Sequence, residues 1–332
     1  MINEAAWPLV PVLSLNEYRG KTLSVGRDIV VLGSLNVDFV VRVSERPGMG
    51  QTVFGKEFSI FPGGKGANQA VAVGRLGGNV CMAGRIGDDV FSSILLESLT
   101  NANVGTDNVL ITENIFTGSA FITVDDSGEN SIIVIPGANS QYSKEDVDDL
   151  ATCLKDAKTL MLQLEIPVES VEYAAQVAKS FGVTVMLDPA PAMSLPAELY
   201  RLIDVITPNE HEASLLTGIQ VQDLSSAESA GLRLLEQGVH SAVVKLGAQG
   251  AFYCSSTGDR GYVKGHRVNV VDTTAAGDAF SGALALALCE GKSIGEACEF
   301  ANAAAALSVT RKGAQTSMPN YDEVARFFQS LV

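Results

Sequence analysis

Histidine and cysteine are scarce in this chain, and their arrangement excludes several kinds of site. Only 3 histidines and 5 cysteines occur among 332 residues, so a histidine-rich metal centre is excluded. The cysteine count is odd, the spacings are wide, and no Cys-x-x-Cys pair occurs. Zinc sites and disulfide frameworks rely on such pairs or on even numbers of cysteines. We therefore expect reduced thiols and an intracellular, cytoplasmic protein.

A long apolar run and a secretory signal are also missing. No stretch approaches the roughly 18 apolar residues that a membrane-spanning helix needs, so we expect no membrane partner. Residues 5–15 are fairly apolar, but Pro8 and Pro11 interrupt them and Glu4 precedes them. A signal peptide would begin with basic residues and continue unbroken. We expect residues 1–27 to be a poorly ordered extension, with an organelle-targeting segment as the alternative.

Basic residues are outnumbered by acidic ones. The chain has 23 Lys and Arg against 38 Asp and Glu, a net charge of −15. Such a surface repels phosphate backbones, so nucleic acid is a poor candidate for a partner. Apolar residues, in contrast, make up 46% of the chain, which predicts a large packed core and argues against disorder. Any phosphate site must be local, built from backbone amides, a few cations and a bound metal.

Short β-rich runs alternate with helical segments along residues 28–332. The apolar run at 29–33 ends at a glycine, as a buried strand should, and helices are predicted at 68–76, 168–181 and 279–290 among others. This alternation predicts an α/β fold with a mainly parallel central sheet flanked by helices on both faces. No linker divides the segment, so we expect one domain.

Two regions break this rhythm. Residues 37–61 and 116–135 contain strand-like runs and turns with no helix between them. They predict a small antiparallel sheet that stands apart from the main one and forms a lid over a cleft. Ordinary hairpins at the edge of the main sheet are the alternative.

Residues 271–280, Val-Asp-Thr-Thr-Ala-Ala-Gly-Asp-Ala-Phe, are the most informative stretch. Small residues and a glycine stand just before a helix predicted to begin near Ala279. Backbone N–H groups at such a junction, together with the helix dipole, form an anion-binding site. Asp278 at its mouth could accept a proton from an attacking hydroxyl. An aspartate that caps the helix explains the local sequence equally well.

Three further stretches carry weaker signals. Residues 61–70 contain a glycine pair that allows close backbone approach to a ligand, although they do not match the nucleotide P-loop and could be a simple turn. Residues 207–212 offer two carboxylates and an amide that suit hydrated magnesium, or merely a capped helix start. Asn36 and Asp38 share one face of an extended segment and suit sugar hydroxyls, with a solvated turn as the alternative.

Residues 28–332 resemble the ribokinase-like (PfkB) carbohydrate kinase family over almost their whole length. Four motifs occur in the family's order: GGKGANQA at 63–70, Asn-x-x-Glu at 209–212, DTTAAGDAF at 272–280 and VTRKGAQTS at 309–317. Their joint occurrence is far more specific than any one of them and favours the functional interpretation of each. The resemblance implies the ribokinase-like fold, a homodimer formed through the lid, and ATP-dependent phosphorylation of the primary hydroxyl of a sugar, D-ribose.

The resemblance also implies roles for individual residues. Asp278 would be the catalytic base, and the anion hole would consist of the amides of Ala275, Ala276 and Gly277. Ribose would be bound by Asn36, Asp38, Gly64, Lys65, Asn68, Glu165 and Asp278. ATP and hydrated Mg²⁺ would be bound by Asn209, Glu212, Lys245, Gly247, Gly250, Gly277 and Asn302. A monovalent cation, usually K⁺, would be enclosed, mostly by backbone carbonyls, at Asp272, Thr274, Ser308, Arg311, Gly313 and Ser317.

Three positions depart from the family's usual pattern. Lys245 stands where a smaller polar residue is expected, Asn302 where some relatives have His, and Thr316 where Pro is common. Ribose is the expected substrate because Asn36 accompanies Asp38, whereas deoxyribose-preferring relatives often have an apolar residue at the first position. The alternatives are a kinase for a nucleoside or another sugar, and a non-catalytic sugar- or nucleotide-responsive binding protein. A NAD-dependent oxidoreductase is disfavoured because no Gly-x-Gly-x-x-Gly follows the first strand.

Overall fold

The computed structural model describes residues 27–329, so the extension predicted at residues 1–27 lies outside the described residues except for Arg27. The strands follow one another along these residues as β1 (Ile29–Leu32), β2 (Asn36–Val43), β3 (Gly55–Gly63), β4 (Val80–Gly87), β5 (Gly105–Thr112), β6 (Gly118–Val124), β7 (Asn130–Ile135), β8 (Thr159–Leu162), β9 (Thr184–Leu187), β10 (Val205–Ile206), β11 (Ser241–Lys245), β12 (Gly250–Ser255) and β13 (Arg260–Lys264).

The main sheet is mostly parallel, as predicted. Its order is β13-β12-β11-β10-β9-β8-β1-β4-β5. The strands from β11 through β5 run parallel to one another, and only β12 and β13 join antiparallel at one edge. The carboxyl ends of the parallel strands therefore meet along one edge of the sheet, where ligands bind in folds of this kind.

Helices cover both faces of this sheet, which confirms the predicted layers. They are α1 (Lys65–Arg75), α2 (Phe91–Asn101), α3 (Lys144–Lys155), α4 (Val168–Ser180), α5 (Ala197–Tyr200), α6 (Glu210–Thr217), α7 (Leu224–Gln237), α8 (Ala276–Cys289), α9 (Ile294–Ser308) and α10 (Tyr321–Gln329). Alternate residues of β1 serve the two cores, since Ile29 and Val31 pack on the side of α1 and α8, and Val30 and Leu32 on the side of α3 and α4. None of the helices described is both long and apolar enough to cross a membrane.

The start of α8 differs from the sequence prediction. The helix begins at Ala276, three residues before the predicted start at Ala279. Ala275 adopts a left-handed conformation, with φ of 59°, and forms the N-cap. Gly277 is therefore part of the first turn and not of the loop. Asp278 lies inside that first turn, where the helix dipole favours a negative charge.

The second sheet has the order β3-β2-β6-β7 and forms the predicted lid. Its outer pairs are antiparallel, but β2 and β6 run parallel, with Asn36 opposite Gly118. This central pair corrects the expectation of a wholly antiparallel lid. The reason is topological: β2 follows β1 and β6 follows β5, so both leave the same edge of the main sheet in the same direction.

Candidate active site

Asp278 is buried at the centre of a polar cluster at the carboxyl edge of the main sheet. Its side chain accepts a hydrogen bond from Asn68 Nδ2 to Oδ2 at 2.9 Å and one from Gln69 Nε2 to Oδ1 at 3.2 Å. Burial, with a contribution from the nearby Asp188, raises the pKa of Asp278 to about 6, although Lys65 and the two amides act in the opposite direction. A carboxylate with such a pKa can accept a proton near neutral pH.

Asp188, which follows β9, is a second buried carboxylate that the sequence analysis missed. Its Oδ2 accepts hydrogen bonds from Gln69 Nε2 at 2.9 Å and from Ser281 Oγ at 3.0 Å. Its Oδ1 accepts one from Lys245 Nζ at 3.1 Å. The ammonium of Lys245 therefore points into the site and compensates this charge.

Lys65 supplies the positive charge at the start of α1. Burial alone would lower the pKa of its ammonium, but the carboxylates of Asp278, Glu165 and Asp188 raise the pKa above its usual range. Lys65 therefore stays protonated at any physiological pH. A fixed cation among several carboxylates suits the binding of a phosphoryl group as negative charge develops on it.

Asn36 and Glu165 lie together beside this cluster, as predicted for sugar-binding residues. Glu165 Oε2 accepts hydrogen bonds from Ser34 Oγ at 2.5 Å, from the backbone N–H of Lys65 at 3.2 Å and from Asn36 Nδ2 at 3.5 Å. Asn139 donates from Nδ2 to Asn36 Oδ1 at 2.8 Å and fixes the orientation of the Asn36 amide. Asn139 is a further residue that sequence reasoning missed.

Asp38 approaches the same cluster from the lid. Burial, together with the carboxylates of Glu165 and Asp278, raises the pKa of Asp38 to about 7. The adjacent glycines make this approach possible. A Cβ at Gly63 would collide with the carboxylate of Asp38, and Gly64 has φ of 89°, where a Cβ would lie 2.7 Å from the backbone nitrogen of Asn36. The glycine pair therefore serves close packing of backbone around the site, which is more than a simple turn requires.

The N-terminal turn of α8 forms one wall of a cleft of about 280 Å³ that also contains Asp278. Ala275, Ala276 and Gly277, whose amides were predicted to form an anion hole, all line this cleft. The amide of Ala276 donates to the carbonyl of Thr273 at 3.2 Å and closes the turn, so this N–H group is shared with the backbone. The other N–H groups of the first turn lie at the positive end of the helix dipole, where an anion is stabilised.

Asn209 and Glu212 line the same small cleft from the start of α6. They also form a capping box, because each side chain accepts a hydrogen bond from the backbone N–H of the other residue at 2.8 Å. The capping and functional interpretations are therefore compatible. Burial and the neighbouring Asp188 raise the pKa of Glu212. Residues 27–329 contain no cluster of three or more His, Cys, Asp or Glu side chains suited to direct metal binding.

A larger cleft of about 550 Å³ adjoins the small one and shares Lys245, Gly247 and Gly277 with it. It also contains Gly250 and Asn302, so all five of these predicted nucleotide-binding residues line one continuous groove. Asn302 Nδ2 donates to the carbonyl of Lys264 at 2.7 Å. Sequence reasoning missed the segment that completes the wall, which comprises residues 265–268 and 270.

The residues predicted to enclose a monovalent cation lie on the loop before α8 and on the segment from the last residue of α9 to Ser317, and Asp272 joins these two segments. Its Oδ1 accepts from the backbone N–H and the hydroxyl of Thr274 at 2.9 and 2.6 Å, and its Oδ2 accepts from the N–H of Gly313 at 2.9 Å. The guanidinium of Arg311 pairs with Glu323 at 2.6 Å and so points away from these segments. Ser308 and Ser317 donate their hydroxyl hydrogens to the carbonyls of Ala305 and Ala314, so their own hydroxyl oxygens keep acceptor capacity.

Comparison with known proteins agrees with this geometry. The sequence profile described as pfkB family carbohydrate kinase matches residues 27–321. The chain is 43% identical to the ribokinase of Haemophilus influenzae over 91% of this chain and 99% of the relative, and 41% identical to that of Schizosaccharomyces pombe over 90% and 96%. The structure of Arabidopsis thaliana ribokinase complexed with ribose and ATP superposes with a TM-score of 0.87 at 35% identity, covering 92% of this chain and 99% of that one.

Proposed function

Because the chain belongs to the pfkB family of carbohydrate kinases, we propose that it transfers the γ-phosphoryl group of ATP to the 5-hydroxyl of D-ribose. The products are ribose 5-phosphate and ADP. The observation that carries this proposal is the position of Asp278. Its buried carboxylate lies between the sugar-facing cluster and the N-terminus of α8, within a cleft that continues into the larger groove. The ribose and ATP named for the Arabidopsis structure support the choice of both substrates.

Different residues bind the sugar, accept its proton and stabilise the transferring phosphoryl group. Ribose binds beneath the lid against Asn36, Asp38 and Glu165. Asp278 accepts the proton of the primary hydroxyl as that oxygen attacks the γ-phosphorus. The amides of the first turn of α8, together with Lys65, stabilise the charge that develops on the transferring group. Closure of the lid excludes water and so limits hydrolysis of ATP.

Two metal ions fit the residues that are present. Glu212, whose carboxylate is buried in the small cleft with Asn209 beside it, suits a magnesium ion held through water, since magnesium keeps much of its hydration shell. Bound there with ATP, magnesium would neutralise phosphate charge. The segments joined by Asp272 offer carbonyl oxygens, the ligands that suit potassium. This cation would act on the first turn of α8 from behind.

The choice of ribose over deoxyribose rests on Asn36. Its amide is 4% exposed and held by Asn139 and Glu165, so it is a preorganised polar group in a desolvated place. A site built to bind a hydroxyl discriminates against an analogue that lacks it, because the preorganised polar group then loses one of its hydrogen-bond partners. This argument supports ribose as the substrate and makes deoxyribose the control substrate in the activity test below.

We also propose that two copies of the chain associate through their lids. β7 is an edge strand, and four consecutive apolar residues on it, Ile132, Ile133, Val134 and Ile135, are 46–67% exposed. An open edge strand of this composition is a template for pairing. A second copy offers the same strand, and a two-fold axis would cover both at once.

The experiment that tests the function is ADP release by the purified protein with magnesium and ATP. It compares ribose, deoxyribose, fructose and adenosine, each with potassium, with sodium and without either. We expect ribose to give the highest kcat/KM and potassium to stimulate it. Turnover of another compound far above ribose would overturn the substrate assignment. Release from none of the four would overturn the kinase proposal and favour a non-catalytic binding protein.

A further inference from the structure

Gln69 lies between the two buried carboxylates of the site and donates to both. Its Nε2 is 3.2 Å from Asp278 Oδ1 and 2.9 Å from Asp188 Oδ2. A side-chain amide has two N–H groups, so each carboxylate accepts one of them. Gln69 has no exposed surface, and bulk water therefore does not compete for either hydrogen bond.

Gln163 orients that amide. Its Nε2 donates to Gln69 Oε1 at 2.8 Å, which directs the oxygen of Gln69 away from the carboxylates. A reversed Gln69 amide would present its oxygen to two negative groups. Gln163 Oε1 in turn lies against Gly33: it has no hydrogen-bond partner among the described residues, and a Cβ at Gly33 would be only 1.8 Å from it. The missing side chain of Gly33 provides the space for the Gln163 amide.

We propose that Gln69, oriented by Gln163, is a positioning residue that holds the carboxylates of Asp278 and Asp188 apart and keeps Asp278 ready to accept a proton. The proposal rests on the proposed function only in naming the reaction. The chain of hydrogen bonds from Gln163 through Gln69 to the two carboxylates does not depend on which sugar binds. Neither glutamine is among the residues expected to contact substrate.

Several charged groups surround Asp278, and they set the direction of the effect. Burial raises the pKa of Asp278, and the negative charge of Asp188 raises it further. Lys65, Asn68 and Gln69 lower the pKa of Asp278. Loss of the Gln69 donor leaves the repulsion from Asp188 in place, so the pKa of Asp278 must rise. The other charged groups that face this cluster from the packed elements are Asp38 on β2, Glu165 after β8, Glu210 and Glu212 on α6, and Lys245 at the end of β11.

Three variants test the proposal through the dependence of kcat/KM on pH. Gln69→Met keeps the length of the side chain without its donors, Gln69→Glu adds a third carboxylate, and Gln163→Met removes only the orienting donor. The acid limb of the profile should move to higher pH, by roughly one to three pH units for Gln69→Glu. The shift should be smaller for Gln69→Met and smallest for Gln163→Met. A purely structural role would lower kcat/KM equally at every pH and leave the limb in place.

A second measurement does not need turnover. The γ-carboxyl carbon of Asp278 is titrated by NMR in protein labelled with ¹³C-aspartate, its signal being assigned from Asp278→Asn. The midpoint of the Asp278 titration should move to higher pH in the Gln69 and Gln163 variants, in the same order as the acid limb of the kcat/KM profile. If the wild type phosphorylates no sugar, the proposed function fails, yet this titration still decides the role of Gln69.

The matched control is Gln237→Met, the same chemical change on α7, whose amide instead donates to the carbonyl of Leu216. It should leave the kinetic limb and the NMR midpoint unchanged. An unchanged midpoint in a folded Gln69→Met protein would overturn the proposal. If Gln69→Met does not fold, an unchanged midpoint in Gln163→Met and Gln69→Glu overturns it in the same way.

Discussion

The main sheet and the lid differ in how completely they are buried. Every residue of β1 and of β8 is buried, whereas every residue of β7 is exposed. The buried sheet and the helices on it position Asp278, the proposed base, while the lid contributes Asp38 and the exposed apolar residues of β7. In the proposed mechanism, the well-packed main sheet therefore holds the reacting groups, and the less buried lid controls access to them.

Because the two regions differ in burial, substitutions in them should have different consequences. Substitutions in the core of the main sheet should destabilise the fold. Substitutions in the polar cluster at its carboxyl edge should abolish catalytic activity and leave the fold intact. Damage to the lid should alter association and substrate binding at little cost to the stability of the monomer. The following changes test this division, in order of decreasing effect.

The largest effect is expected from Asp278→Asn. The amide cannot accept the proton of the attacking hydroxyl, so kcat should fall about 10²- to 10⁴-fold. The variant should keep its thermal unfolding temperature and bind ATP in calorimetry within a few-fold of the wild type. A folded variant with a kcat close to that of the wild type would contradict the assignment of the base.

Leu162→Ala in β8 should cost about 2–5 kcal/mol of unfolding free energy, because its fully buried side chain would leave a cavity. Ile132→Ala in the lid, where the residue is 53% exposed, should cost no more than about 0.5 kcal/mol in the monomer. Urea unfolding at protein concentrations below dimer dissociation measures both. Equal losses for the two variants would show that the lid is as firmly packed as the main sheet.

Ile133→Asp should weaken self-association at least about 100-fold, because burial of an unpaired carboxylate in an apolar contact is costly. Analytical ultracentrifugation should show a shift from dimer to monomer. Ser131→Asp is the matched control on the same strand, since Arg46 already lies beside Ser131 and can pair with the new charge. A monomeric wild type would rule out the proposed dimer.

The smallest effect is the dependence of the wild-type rate on pH. Burial first, and then Asp188, raise the pKa of Asp278 to about 6. The base must be unprotonated, so protonation of Asp278 should lower kcat/KM about tenfold for each pH unit below this value. The rate falls on the acid side because a protonated Asp278 carboxyl cannot accept the proton of the sugar hydroxyl. An acid limb near pH 4 would show that the site does not raise this pKa.

Local signals made much of the fold predictable. The apolar run of β1, the glycine pair before α1 and the small residues before α8 each act over a few residues, and a strand or a helix start lies within a few residues of where each predicted it. The hairpin of β12 and β13 was not predicted, since glycines interrupt its short runs and an antiparallel edge breaks the expected strand-helix alternation. The earlier start of α8 depended on the left-handed conformation of Ala275, which an alanine does not predict, because glycine and asparagine are the residues that usually adopt it.

The network around the base could not be predicted, because it joins distant parts of the chain. Gln69 and Asp278 are 209 positions apart, and Gln69 and Asp188 are 119 apart. Within its own motif, Gln69 is simply one more helical residue. Asp188 did leave a signal, since an acidic residue directly after a buried strand lies at the same edge of a parallel sheet as Glu165.

Gly33 has a consequence for judging natural variants of this protein. It contacts no substrate in the proposed mechanism, and exchange of glycine for alanine usually counts as mild. Here the added methyl group would collide with the amide of Gln163 and disturb the glutamine chain that ends at Asp278. An allele with alanine at this position should therefore behave as a loss-of-function allele, and selection should retain glycine for the sake of catalysis.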